Sequence, residues 1–324
     1  MENDAILLIF GAPLKSHVVR SHLALILAMT IWGSSFVALK FAVTELSPMW
    51  VVFIRMAIGS LSILLIWPFL SLKVTYRKGD WKYLVGLAFF EPCLYFLFEA
   101  QALVYTSAGQ AGMMLATLPV MVAIGAYVFL GEKSTRIQWA GFLLAIVGVL
   151  VMTLSSEQNE QAPNAPLGNF LEFLAICCAV GYVLLVKHLI NRYSAFFLTA
   201  MQSFVGAAFF LPFSQFEPRP DSISAELWLV LVYLGVIVTL GAYGLYNYSM
   251  SHLSASMAAS YTNLLPVFSL LFSMMLLNEV IQPLQWLSIS LVFAGVTLSQ
   301  RTGITEKQAS GTQLEKAELY TSRV

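Results

Sequence analysis

Glu91, Tyr95 and Glu99 recur every four residues inside the otherwise apolar stretch FFEPCLYFLFEAQ. That spacing lines three polar side chains along one face of a helix. A carboxyl in a hydrocarbon setting is costly to leave charged, so it is paired, protonated or directed into a cavity. Glu91 lies nearest the middle of its run. It is the proton-coupling candidate and a candidate grip for a substrate amine, set against a purely structural role as a hydrogen-bonded acid. Pro92 beside it removes a backbone donor and is expected to bend the helix there. Glu99 and Arg55 fall at similar depth in their runs, so an ion pair between them is expected, structural or gating. Lys40 sits a few residues from the end of its run. It can snorkel toward headgroups or meet a substrate carboxylate.

Pro119 and Pro266 fall near the centres of two further apolar runs and are the hinge candidates, because a helix break in a membrane is tolerated where freed carbonyls find protein, water or ligand. Aromatic and weakly polar residues gather around these positions in the sequence, the usual make-up of a small-molecule site. Besides Glu91, Tyr95 and Glu99, the candidate substrate-binding set holds Trp32, Ser35 and Met113. Tyr182, Tyr243, Asn247 and Asn263 complete it. Each aromatic taken singly reads as a packing residue before it reads as a ligand contact. No catalytic, metal or cofactor set emerges: the four histidines lie at the ends of apolar runs or outside them, and no HExxH or Cys/His cluster occurs.

The elements that must hold these residues follow from composition. With 59% hydrophobic and 10% charged residues and a mean hydropathy of +0.79, the chain cannot solvate a soluble surface, and it reads as an all-α integral membrane protein. Ten runs approach the roughly 17–25 residues that cross a bilayer as helix. The first five are Leu23 to Ala42, Trp50 to Leu70, Tyr83 to Val104, Ser107 to Leu130 and Ile137 to Leu154. The second five are Leu167 to Val186, Ala195 to Ser214, Leu227 to Tyr248, Ser254 to Leu277 and Leu284 to Ser299. Cys93, Cys177 and Cys178 all fall inside runs, which argues against a disulfide framework. The balanced charge gives no reason to expect a nucleic-acid partner.

The chain also matches itself at an offset of 147 residues. Trp81 pairs with Trp228, Pro119 with Pro266, Glu132 with Glu279, Trp139 with Trp286 and Gly148 with Gly295. Of the 17 Lys and Arg residues, fourteen fall on one side of the expected membrane and only Arg219 on the other, which places both termini in the cytoplasm. Loops equivalent under the repeat carry opposite charge character, because five helices per copy turn the second copy upside down. The organisation expected is therefore a cytoplasmic leader (1–22), a first five-helix repeat (23–155), an external linker (156–166), an inverted second repeat (167–299) and a disordered cytoplasmic tail (300–324). Inverted repeats allow alternating access around a central site. Gly141, Ala145, Gly148, Ser288 and Gly295 in runs five and ten permit close helix approach, as scaffold or as a homodimer contact, and Glu132 and Glu279 read as caps or anchors at solvated helix ends.

The stretches IWGSSFVALK, TSAGQAGMMLATLPV and FLGEKSTRIQWAGFLLAIVGV, with LSASMAASYTNLLPV and LLNEVIQPLQWLSISLVFAGV in the second half, resemble the EamA-like branch of the drug/metabolite transporter superfamily. The resemblance runs from about Leu23 to Ser299. It implies ten helices as five plus five, metabolite transport and export more often than uptake, in a bacterial inner membrane. Ala179 stands where the first copy has Trp32, a departure that leaves the aromatic wall on that side unfurnished.

The leading reading is a secondary transporter that moves a small metabolite by alternating access with proton coupling. No GxxxxGK phosphate loop for a primary pump is present. A facilitator or channel without ion coupling is the alternative, and a membrane-embedded enzyme a more distant one. Lys40 and Arg55 stand against Glu91, Glu99 and Glu172 within the spans, which favours amino acids or other zwitterionic, cationic or neutral compounds over phosphorylated ones. The partners expected are this small-molecule substrate and membrane lipid.

Overall fold

The computed structural model describes residues 16–69, 74–130, 135–156, 158–189, 192–220, 222–250 and 261–298. The leader before 16, the tail from 299 onward and Glu132 lie outside them. Among the described residues the chain is all-helical, with two isolated backbone bridges, Val74 with Tyr193 and Asn159 with Ala162. Apolar chain in hydrocarbon must satisfy its own amides and carbonyls, so helix is the form these runs take.

The first helices are α1 (Ser16–Glu45), α2 (Pro48–Ile66) and α3 (Asp80–Tyr105). Next come α4 (Ala108–Met114, continued by Leu115–Thr117 and Leu118–Leu130), α5 (Arg136–Leu154) and α6 (Ala165–Leu189). They are followed by α7 (Ala195–Gln215) and by α8 (Ala225–Val232, Tyr233–Ala242 and Tyr243–Met250). Last are α9 (Thr262–Leu276) and α10 (Pro283–Leu298). Small hydroxyl residues set the starts: Ser107, Thr135, Ser194 and Ser224 each accept a hydrogen bond from the amide three residues on, and Gln138 completes a capping box with Thr135. Eight of the helices, α1 to α8, are long and apolar enough to cross a membrane. The two others are apolar but shorter. For α9 the reason is that the first seven residues of its expected run lie outside the described ones.

Helix pairing follows the internal repeat. The pairs α3 with α6 and α8 with α1 are equivalent under the 147-residue offset, as are α4 with α6 and α9 with α1, while α2 packs on α7 and α4 on α9. The interruptions repeat as well. A single 3₁₀ turn occurs at Leu115–Thr117 and again at Thr262–Leu264, and the widened π turns of Phe89–Leu94 and Tyr233–Ala242 overlap at the same offset.

The contact of α5 with α10 carries the same signature. A Cβ on Gly148 would meet Val292 and the Ser288 carbonyl, and one on Gly295 would meet the equivalent Ala145 and Gly141 carbonyl. The small residues are thus used within the chain, and Leu143, Ile146 and Leu150 remain on the exposed face of α5. An added methyl at Gly295 would lie 2.5 Å from the Ala145 amide nitrogen and 2.6 Å from the Gly141 carbonyl, both backbone atoms that cannot swing away. Gly295→Ala is accordingly expected to destabilise the fold by about 1–3 kcal/mol, read as a lowered thermal unfolding midpoint in detergent; an unchanged midpoint would mean that α10 tilts freely.

Candidate functional site

The centre of the site is the break in α3. Glu91 leaves helical geometry altogether (φ −144°, ψ 117°), and Pro92 follows in a π turn. The Tyr95 amide, which would meet the Glu91 carbonyl in a regular helix, turns to the Phe90 and Pro92 carbonyls instead, so the Glu91 carbonyl would be an unmet buried acceptor. Gln202 of α7 meets it, its Nε2 donating at 2.7 Å. The Glu91 carboxylate accepts from the Tyr243 hydroxyl of α8 at 2.9 Å. Thr239, one turn before Tyr243, donates its hydroxyl to the Leu234 carbonyl five residues back, within the π turn. Glu91, Gln202, Thr239 and Tyr243, with Thr199, Ser203, Met56 and Phe96, surround a cavity of ≈ 20 Å³. That is room for about one water, against the roughly 300–1,000 Å³ of an open small-molecule pocket. A metabolite-sized molecule would fit there only if the surrounding helices moved.

An aromatic wall extends outward from this point. Trp32 of α1 stands edge-on to Tyr243, ring centroids 5.0 Å apart, and against Tyr246 at 5.4 Å. Tyr182 of α6 lies within electrostatic reach of Glu91 and Tyr246. Ala179 is buried in a cluster with Tyr95 and Phe96, and the ring of Phe90 packs over Gly181, two residues on. Ser35 donates to the Trp32 carbonyl and serves its own helix.

The break at Glu91 interrupts the four-residue register that would align it with Tyr95 and Glu99, although both remain within electrostatic reach of it. They turn instead toward α2. Tyr95 donates to Glu99 at 2.9 Å, and Arg55 Nη1 lies 4.0 Å from the other Glu99 oxygen, with its guanidinium over the Phe96 ring at 4.4 Å. The expected ion pair is present. Met113 belongs elsewhere again, in a buried cluster with Met114, Met152 and Ile289 beside a second cavity of ≈ 60 Å³. Pro119 is the second residue of Leu118–Leu130, just after the 3₁₀ turn of α4, and Pro266 is the second residue of Leu265–Leu276. Asn263 lies in the 3₁₀ turn before it. The side chain of Asn247 is outside the described residues.

That second cavity lies under a polar latch at one end of the bundle. Glu279, from the connection between α9 and α10, accepts from the amides of Ala108 (2.9 Å) and Gly109 (3.0 Å) at the start of α4. It is 8% exposed, a buried cap on a helix of the other half, where solvation was expected. Ser269 of α9 donates to the Ala108 carbonyl alongside. Lys40 is also buried and does not snorkel. Its ammonium donates to the carbonyls of Leu103 (2.6 Å), Thr106 (3.0 Å) and Gln161 (2.7 Å), closing the end of α3 and tying it to the linker. The reach to headgroups inferred from its position in α1 is pre-empted by carbonyls that α3 leaves unpaired at its last turn. Lys40→Met is expected to cost about 2 kcal/mol of stability, seen as a fall in unfolding midpoint; an unchanged midpoint would mean that water replaces the ammonium at no cost. At the opposite end, His22 Nδ1 and the Tyr261 hydroxyl are 2.7 Å apart and tie α1 to α9.

Sequence reasoning missed Gln202, Thr199 and Ser203. Their spacing of three and four residues within an apolar run marks one polar face of α7. The repeat also pointed to Gln202, which stands 147 residues after Arg55: both offer a polar group from equivalent helices to α3.

A bundle of apolar helices around a buried, hydrogen-bonded acid defines a multi-pass membrane protein with an internal polar site. The model of the EamA-like transporter family matches residues 19–154 and again 166–300, and the chain belongs to that family. It is 28% identical over 263 residues to an uncharacterized transporter of Archaeoglobus fulgidus, covering 80% of this chain and 90% of that one. To the uncharacterized transporter YetK of Bacillus subtilis it is 27% identical, covering 92% and 91%. A protein of Streptantibioticus cattleyicolor named "Probable terminal-alkyne amino-acid exporter" is 27% identical, covering 64% and 69%. A solved crystal structure at 17% identity superposes with a TM-score of 0.59 over 86% of this chain and 96% of the other, a likeness of fold.

Proposed function

We propose that the protein is a secondary transporter that exports an amino acid or a similar zwitterionic, cationic or neutral metabolite, with its cargo bound between the two halves beside Glu91. The observation that carries this reading is the arrangement at Glu91, where α3 of the first half and α7 and α8 of the second converge on one carboxyl, one phenol and one amide. A carboxylate and hydroxyl groups in a low-dielectric pocket suit an ammonium group, and the Trp32 and Tyr243 rings suit its apolar remainder. The name of the Streptantibioticus relative supports an amino acid as cargo.

In this reading ten helices form two inverted repeats, spanning roughly 23–155 and 167–299, and rock about the shared site with Pro119 and Pro266 as hinges. The repeated turns and the equivalent helix pairs are what such a pseudo-two-fold would produce. With both termini in the cytoplasm of a bacterial cell, the Glu279 latch closes the outer side, and the lipid-facing side chains of α5 and α10 are where a homodimer would form.

The test is mass-spectrometric profiling of a mixed amino-acid and metabolite pool in proteoliposomes, with and without a pH gradient. Selective movement of amino acids, accelerated by the gradient, is expected. Movement indifferent to the gradient favours a facilitator, and movement of phosphorylated compounds alone would overturn the substrate class.

A further inference from the structure

Glu172 of α6 has 0% exposure. Neither of its carboxyl oxygens has a hydrogen-bond partner among the described residues. It interacts electrostatically with Glu99 across the contact of α6 with α3, so two carboxyls from different halves face each other, and the cation beside them, Arg55, is paired with Glu99. Arg55 is already committed to Glu99, and its Nε finds no partner among the described residues either.

An ionised carboxylate with no hydrogen bond and no counter-ion, in a region of low dielectric, carries an uncompensated cost that a folded protein does not sustain. A proton or a bound cation must offset it. A metal cation would need several further oxygen ligands, and the groups that interact with Glu172 are Glu99 and Tyr95 of α3, on which Arg55 of α2 and Glu91 act in turn. Tyr95 already gives its hydroxyl proton to Glu99. A proton needs no coordination shell. It also leaves the cluster neutral, with Arg55 and ionised Glu99 cancelling.

We propose that Glu172 carries a proton in this closed conformation and forms with Glu99 and Arg55 a second proton-binding site, separate from Glu91. The site lies between helices of the two halves, and neither cavity described above touches Glu172. Separation of α3 from α6 would admit water, the proton would pass to that water, and the resulting carboxylate would be hydrated. Occupancy of the site is thereby tied to whether the halves are apposed.

The test is infrared difference spectroscopy of the purified full-length protein at mildly alkaline pH, where exposed carboxyls are ionised. It needs no substrate. Wild type is expected to show a protonated-carboxyl C=O band that disappears in Glu172→Gln and survives in Glu91→Gln. Glu99→Gln should shift the frequency of that band, and this result carries the test if Glu172→Gln fails to fold. Repeating the titration in sodium and in choline buffers separates a proton from a cation. A band unchanged by Glu172→Gln, or one abolished by sodium, would overturn the proposal. Because no transport is measured, failure here leaves the substrate reading standing, and failure of transport leaves this one standing.

Discussion

Glu279→Ala is expected to open one end of the bundle. The Glu279 carboxylate accepts from two amides at the start of α4, and hydrogen bonds to a charged acceptor contribute about 1.5–3 kcal/mol each. Losing both leaves Ala108 and Gly109 with unmet donors in a buried place, so the closed state loses its advantage. Allowing that water recovers part of the loss, a shift of about 3 kcal/mol changes the closed-to-open ratio roughly a hundredfold. In a background with Cys93, Cys177 and Cys178 replaced, a cysteine at Met113 reports the event, since Met113 lines the cavity beneath the latch. A membrane-impermeant maleimide should label it about a hundredfold faster in the Glu279→Ala protein, from the external face of cells. Glu279→Gln, which keeps an acceptor and loses the charge, should fall between. If the labelling rate does not move while the unfolding midpoint drops, the latch serves stability and does not gate; if labelling occurs only from the cytoplasmic face, the orientation is reversed.

The second large effect concerns Glu91→Gln. Glutamine has the same shape and can still accept from the Tyr243 hydroxyl, and the contact of Gln202 is with the Glu91 backbone and survives any side chain. The variant should therefore fold as the wild type does. What it loses is the exchangeable proton and the charge. Gradient-driven acceleration is expected to vanish, and transport of a cationic substrate to fall at least tenfold, the factor given by a loss of about 1.4 kcal/mol. An unchanged rate and an unchanged pH dependence would remove Glu91 from the mechanism and leave it a structural acid.

How much of this was legible depends on the range over which the physics acts. Apolar run length is a local property, and it set the helices to within a few residues at α2, α3 and α5. Repeat equivalence survived in Pro, Trp and Glu residues, and the 3₁₀ turns appear where that offset placed them. Pro92 signalled the break in α3 but not its consequence, that Glu91 would bond to Tyr243 while Tyr95 and Glu99 bond to each other. That required knowing that α7 and α8 supply Gln202 and Tyr243. Lys40 was misjudged for a similar reason: its distance from the end of α1 is written in the sequence, whereas three unpaired carbonyls from α3 and the linker are not. Hydrogen bonds between helices distant along the chain leave no period to read.

The Lys40 ammonium has a further consequence, for the order in which the protein can be made. Gln161 lies 121 residues after Lys40. At about 5–20 residues per second of synthesis, roughly 6–24 s separate the two on the ribosome. During that interval α1 has entered the membrane with a cation whose third carbonyl has not been synthesised. The Lys40 site is complete only once the linker emerges, so the earliest-made half of the molecule waits, its ammonium short of one hydrogen bond, for a residue that belongs to neither half.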